Sequence, residues 1–227
     1  MGFLLACVFT RLSAASEVHR EAKASAGVRA LLGVGASGAV VFRLSSLFAL
    51  DAFGGGFVVQ SFAAYWFYLR FGVNPATLGS IFFGANVFAG VSALLASRIA
   101  SRIGLVRTMV FTHLPSNVLL ILVPLMPTLP LAILVLLLRF SISQMDVPTR
   151  QSYTMAIVPP EERSAAAGIT GVARTTGAAI APLFAGLLFG RPALINLPFL
   201  IAGTLKIVYD LLLYRAFSGV AAPDEGR

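Results

Sequence analysis

In the stretch RFSISQMDVPTRQSY, residues 139–153, polar side chains recur at intervals of four and three residues. At 100° per residue, Arg139, Ser143, Asp146, Arg150 and Tyr153 fall within an arc of about 80°, with Pro148 on the opposite side. The run before them, LPLAILVLLL, is entirely apolar. Counted from Pro130, Arg139 lies about 15 Å along the helix, close to the middle of a hydrocarbon core about 30 Å thick. A central arginine there costs about 2.5–3.5 kcal/mol, so such residues normally face a partner or a water-filled cavity. The stripe therefore reads as the wall of a polar path, against the plainer alternative of an Asp–Arg ladder that only pins helices together. Asp146 and Arg150, four apart, have the spacing of a local pair, and Pro148 removes a backbone hydrogen bond and predicts a kink.

Other polar residues sit in comparable surroundings. LDAFGGGFVVQSF carries Asp51 and Gln60 on either side of Gly54, Gly55 and Gly56. Each glycine weakens a soluble helix by about 1 kcal/mol, so the triplet predicts either local unwinding beside a binding site or close packing on a neighbour. In GITGVARTTGAAIAPLFAGLL, residues Gly171, Thr175, Ala179, Pro182 and Gly186 share a face of small side chains suited to close helix packing. Arg174 lies more than two turns inside the same segment. Lys206 and Asp210 are spaced as a local ion pair.

These residues need elements to hold them. The chain of 227 residues is 58% hydrophobic and only 11% charged, with mean hydropathy +0.89, far from the roughly 25% charged content of soluble domains. Six apolar runs are long enough to span a bilayer: 44–69, 76–97, 108–126, 129–158, 165–189 and 193–214. The linkers carry the breakers GVNP, MPTLP, VPPEER and GRP. The lack of a period-two pattern argues against a β-barrel, and an all-α membrane protein, a six-helix transmembrane bundle over residues 44–215, is expected.

Lys and Arg total 17. Alternate loops hold Arg11, Arg20, Lys23, Arg29, Arg43, Arg98, Arg102, Arg107, Arg150, Arg163, Arg215 and Arg227, whereas the opposite loops hold Arg70 and Arg191. The rich side is expected to be cytoplasmic, with both termini.

The net charge of +8 is scattered among loops rather than gathered in a patch, which argues against nucleic-acid binding. Cys7 is the single cysteine, which excludes an intrachain disulfide. His19 and His113 lack ligand spacing and read as incidental, so neither a metal nor a cofactor is expected. Serine-nucleophile motifs, catalytic aspartate pairs and histidine clusters are missing, which argues against an enzyme. MGFLLACVFT is too short to span and lacks the charged region of a signal sequence. It reads as the end of a preceding helix over 1–10, ahead of a cytoplasmic linker over 11–43 with a short amphipathic helix. GASG in that linker does not make a phosphate loop. Residues 216–227 read as a cytoplasmic tail.

With those spans in place, QMDVPTRQSYTMAIVPPEERSAAAGITGVARTTG resembles the tenth helix, cytoplasmic turn and start of the eleventh helix of major facilitator superfamily transporters. GAAIAPLFAG is similar to that family's Gly/Pro packing motif. The loop SRIASRIGLVR keeps Arg102 and Gly104 of the family's Asp-Arg-x-Gly-Arg pattern but has Ser101 and Leu105 in place of the Asp and the second Arg. The resemblance covers essentially the whole chain. It implies the C-terminal half of a secondary transporter, working by alternating access in a bacterial inner or plasma membrane, with proton coupling through Asp51 or Asp146. It also implies a second six-helix half, from a homodimer or a separate chain, and a small solute whose anionic character is hinted by the excess of arginine. The alternative expectation is a non-transporting scaffold or regulatory half-protein paired with a full-length transporter, or a truncated gene product.

Overall fold

In hydrocarbon, a segment that leaves its backbone polar groups unpaired pays several kcal/mol for each, so apolar runs fold as helices. The computed structural model describes residues 33–219. Within them, six helical segments are long and apolar enough to cross a membrane: Gly38–Phe71, Pro75–Ile103, Leu105–Leu125, Leu129–Ala156, Pro160–Phe189 and Pro192–Phe217. The expected all-α six-span bundle is present. The preceding-helix remnant and all but the end of the linker lie outside the described residues, as does most of the tail.

Two spans are interrupted. Span one consists of α1 (Gly38–Gly56) and α2 (Gln60–Phe71), and span four of α5 (Leu129–Ser143) and α6 (Asp146–Ala156). The others are α3 (Pro75–Ile103), α4 (Leu105–Leu122), α7 (Arg163–Phe189) and α8 (Leu197–Phe217). The first helix begins at Gly38, so residues 38–43 belong to it and not to a linker. At the other end α8 continues through Phe217.

Both breaks have local causes. α1 ends at the glycine triplet, and Phe57–Val59 carry the chain into α2. Span four breaks at Gln144 and Met145 because Pro148 cannot donate to the carbonyl four residues earlier and its ring crowds that carbonyl. The continuous fourth helix assumed for the polar stripe is thus corrected: Arg139 and Ser143 belong to one helix, Asp146, Arg150 and Tyr153 to another. Between spans, the chain reverses where φ is positive: Gly72 at 65° and Gly104 at 88°. α3 then starts on an Asn74 cap, whose side chain accepts from the Thr77 N–H at 2.9 Å, with Pro75 in the first turn.

α1 lies against α7, and small residues set their distance. A side chain at Gly177 would run into the carbonyl of Ala49, and a Cβ at Gly56 would lie 2.7 Å from the Ala181 Cβ. Gly177, Ala181 and Ala185 are buried on this face, and Pro182 borders it. Gly171, Thr175, Ala179 and Gly186 are exposed instead, and a Cβ at Gly171 or Gly186 would meet nothing within 4 Å. The packing stripe therefore differs from the expected one. The helix is rich in small residues nearly all round, and only contact with α1 selects which of them are covered.

Two large apolar clusters, with a smaller one of Val34, Val41, Val158 and Ala166, fill the interior. One gathers Trp66, Phe67, Phe82, Leu136, Phe189 and Phe199. There the Trp66 indole N–H donates to Asn196 Oδ1 at 2.8 Å, and its ring packs at 5.0 Å from Phe67 and 5.1 Å from Phe199. The other gathers Leu44, Phe48, Met109, Tyr153, Tyr209 and Leu213. Asp51 of α1, His113, Ser116 and Asn117 of α4, and Lys206 of α8 fall in sequence between residues of these two clusters.

Candidate functional site

Span one contributes Asp51, span three His113 and Asn117, span four Asp146 and Arg150, and span six Lys206 and Asp210, all buried. Asp51 Oδ2 accepts from Arg150 Nη1 at 2.9 Å, and its Oδ1 accepts from Lys206 Nζ at 2.5 Å. The second terminal nitrogen of Arg150 donates to Asp146 Oδ2, one turn back on α6. The guanidinium also lies over the Phe48 ring, 5.2 Å from its centroid, a geometry that favours a cation. One arginine thus ties two carboxylates through a planar fork that a lysine could not reproduce.

Beside these pairs is a second arrangement. His113 Nδ1 lies 2.8 Å from Asp210 Oδ1, and Asn117 donates to Asp210 Oδ2 at 2.9 Å. The other ring nitrogen, Nε2, is 3.8 Å from Asp51 Oδ1. Tyr209 meets the imidazole edge-on at 5.9 Å, and its buried hydroxyl has no hydrogen-bond partner. Lys206 and Asp210 do not form the expected local pair, because each finds a partner on another helix. His113, read as incidental, sits between two carboxylates. Its signal was present in FTHLPSNVLL, where His113 and Asn117 are four apart in an apolar span, the spacing that puts both on one helix face.

The remaining candidates are placed differently. Arg139 on α5 and Arg174 on α7 are half-buried, and neither forms an ion pair among the described residues. Each keeps a buried Nε with no hydrogen-bond partner, as does the Ser143 hydroxyl. The Arg139 guanidinium lies 5.1 Å from the Phe140 ring centroid. Both arginines are within electrostatic reach of Asp51 and Asp146 without bonding to either. Gln60 is exposed at the start of α2, where its side-chain oxygen accepts from Asn86 at 3.2 Å. Arg102 is exposed in the last turn of α3, and Gly104 supplies the turn into α4.

The family model of the Major Facilitator Superfamily matches residues 44–226. The chain belongs to the Major Facilitator Superfamily. Proteins of that superfamily are transporters rather than enzymes, and the six apolar spans place the chain in a membrane. It is also 32% identical over 184 residues to an uncharacterized membrane protein, YJR124C, of Saccharomyces cerevisiae. That alignment covers 81% of this chain and 41% of the yeast protein, so the chain spans about two fifths of the length of that relative. No solved structure matches. Of the residues singled out in the sequence, Asp51, Asp146 and Arg150 are brought together in one cluster, whereas Arg139, Arg174 and Gln60 remain outside it.

Proposed function

We propose that this chain is a six-helix half of a secondary transporter that moves a small anionic solute by alternating access. The observation that carries the reading is the pair of half-buried guanidinium groups, Arg139 and Arg174, with nitrogens that have no partner within the bundle. A membrane protein retains such groups where a ligand or a water-filled cavity satisfies them. An anion is the natural complement, since the carboxylates beside them are already held by Arg150, Lys206 and His113.

A second six-helix bundle supplies the opposing wall in this reading. The exposed face of Gly171, Thr175 and Gly186 suits close approach by its helices. The loops of α3–α4 and α6–α7 carry the excess of arginine and face the cytoplasm, as do both termini. No bound group is required, since the binding charges belong to the chain.

Uptake into proteoliposomes of the full chain, screened with radiolabelled organic and inorganic anions and neutral sugars, tests the reading. Anion uptake should be saturable, and Arg139→Ala and Arg174→Ala should each lower it. Saturable uptake confined to neutral solutes, or anion uptake untouched by both variants, overturns it.

A further inference from the structure

Asp210 is completely buried, yet the lysine one turn back on its own helix is not its partner. Its two oxygens face His113 and Asn117 instead. Asn117 is neutral, so among the contacts of Asp210 only a proton shared with the imidazole offsets the carboxylate. An ionised Asp210 beside a neutral His113 would leave a buried charge without a counter-charge in contact, which is costly. We propose that the His113–Asp210 pair is a proton-binding site, and that release of its proton moves Lys206 from Asp51 to Asp210.

The exchange balances. With the proton bound, the pair is neutral as a unit and Lys206 stays 2.5 Å from Asp51 Oδ1. When one proton leaves to water, the pair carries a single negative charge. Lys206, four residues before Asp210 on α8, is a full cation at contact spacing for it. Asp51 retains Arg150 at 2.9 Å, so it loses one cation and not both.

Two further contacts suit such a movement. A Cβ at Gly55 would lie 3.4 Å from Lys206 Cε and 3.6 Å from its Nζ, ordinary contact distances that place the glycine triplet directly beside the ammonium. Asp51 also precedes the triplet at which α1 ends, so the change of partner acts at the break in span one.

The charged and titratable groups around His113 are few. Asp51 faces it from α1, and Lys206, Tyr209 and Asp210 come from α8. Asp146 and Arg150 of α6 reach it through Asp51. Arg139 of α5 and Arg174 of α7 make no ion pair with the cluster, and α3 places no titratable side chain in it. The use of this exchange in coupling rests on the transport reading above, whereas the proton site and the exchange of partners do not.

The chain has two histidines and two lysines, His19, His113, Lys23 and Lys206. The His19→Gln/Lys23→Arg variant therefore leaves one of each. Solid-state NMR of this full chain in phospholipid liposomes, with 15N-labelled His and Lys and 13C-labelled Asp, reads both sites from about pH 5 to about pH 8. The expected result is loss of one imidazole proton as pH rises. Across the same transition, the 15N–13C contact of Lys206 should pass from the Asp51 carboxyl to that of Asp210. Adding Asp210→Asn should keep Lys206 on Asp51 throughout; if that variant does not fold, the titration of the parent variant decides alone. A single protonation state of His113 across the range, or titration with Lys206 remaining on Asp51, overturns the proposal. Neither readout involves solute, so failure of the uptake experiment leaves this result standing.

Discussion

Two sets of intramembrane charges lie within reach of each other and are treated differently by the fold. Asp51, Asp146, Arg150 and Lys206 close on one another with almost no exposure. Arg139 and Arg174 stay half-buried and keep unpartnered nitrogens. The first set spends its charge internally and so can hold helices together or exchange partners. The second has no ion-pair partner among the described residues, and in the reading proposed above a solute satisfies it. Intramembrane charge thus falls into two kinds, one neutralised by its neighbours and one left without an internal counterpart.

The sharpest way to break this contrast is to remove the shared carboxylate. Asp51→Ala leaves Arg150 and Lys206 buried without it, and should cost about 3–5 kcal/mol of stability. Thermal unfolding of the detergent-solubilised protein checks this, and a loss below about 1 kcal/mol would show the cluster to be as open as the arginines. Next in size, Arg139→Ala and Arg174→Ala should each lower anion uptake roughly tenfold to a hundredfold, as expected for loss of a charged hydrogen bond worth about 1.5–3 kcal/mol. Their unfolding temperatures should stay near that of the parent; a large drop would place them in the closed set.

Packing gives a smaller contrast of the same kind. Gly177→Ala must push α1 and α7 apart at the Ala49 carbonyl and should cost about 1–3 kcal/mol. Gly171→Ala meets nothing and should be neutral within about 0.5 kcal/mol. Paired unfolding curves decide, and equal losses would mean that the exposed face is covered within the bundle. The smallest effect belongs to Gln60→Ala, which removes an exposed bond to Asn86 and should change stability by about 0.5 kcal/mol or less.

The spans were legible because hydrocarbon leaves a chain little choice: some twenty apolar residues need a helix. Asp51, Asp146 and Arg150 could be singled out for the same reason, since an ionised group in lipid needs compensation. Their mutual pairing was less visible. Asp51 and Arg150 are 99 residues apart, and no helical periodicity relates separate spans. The local rule even misled at Lys206 and Asp210, where four-residue spacing permits a pair but does not compete with partners on α1 and α4. His113 was overlooked because a neutral imidazole carries no charge penalty that would flag it.

Composition and the apolar pattern by themselves determined a six-span helical membrane protein, and Pro148 and the glycine triplet determined where spans four and one are weakened. Those properties depend on the solvent and on neighbours a turn or two away. Tertiary structure alone decided which charges are closed off and which remain available, and which small-residue face of α7 is covered. It also decided that His113 stands between Asp210 and Asp51. Each of those outcomes depends on which helix lies alongside, and electrostatic and packing energies depend on distances between spans that no single helix specifies.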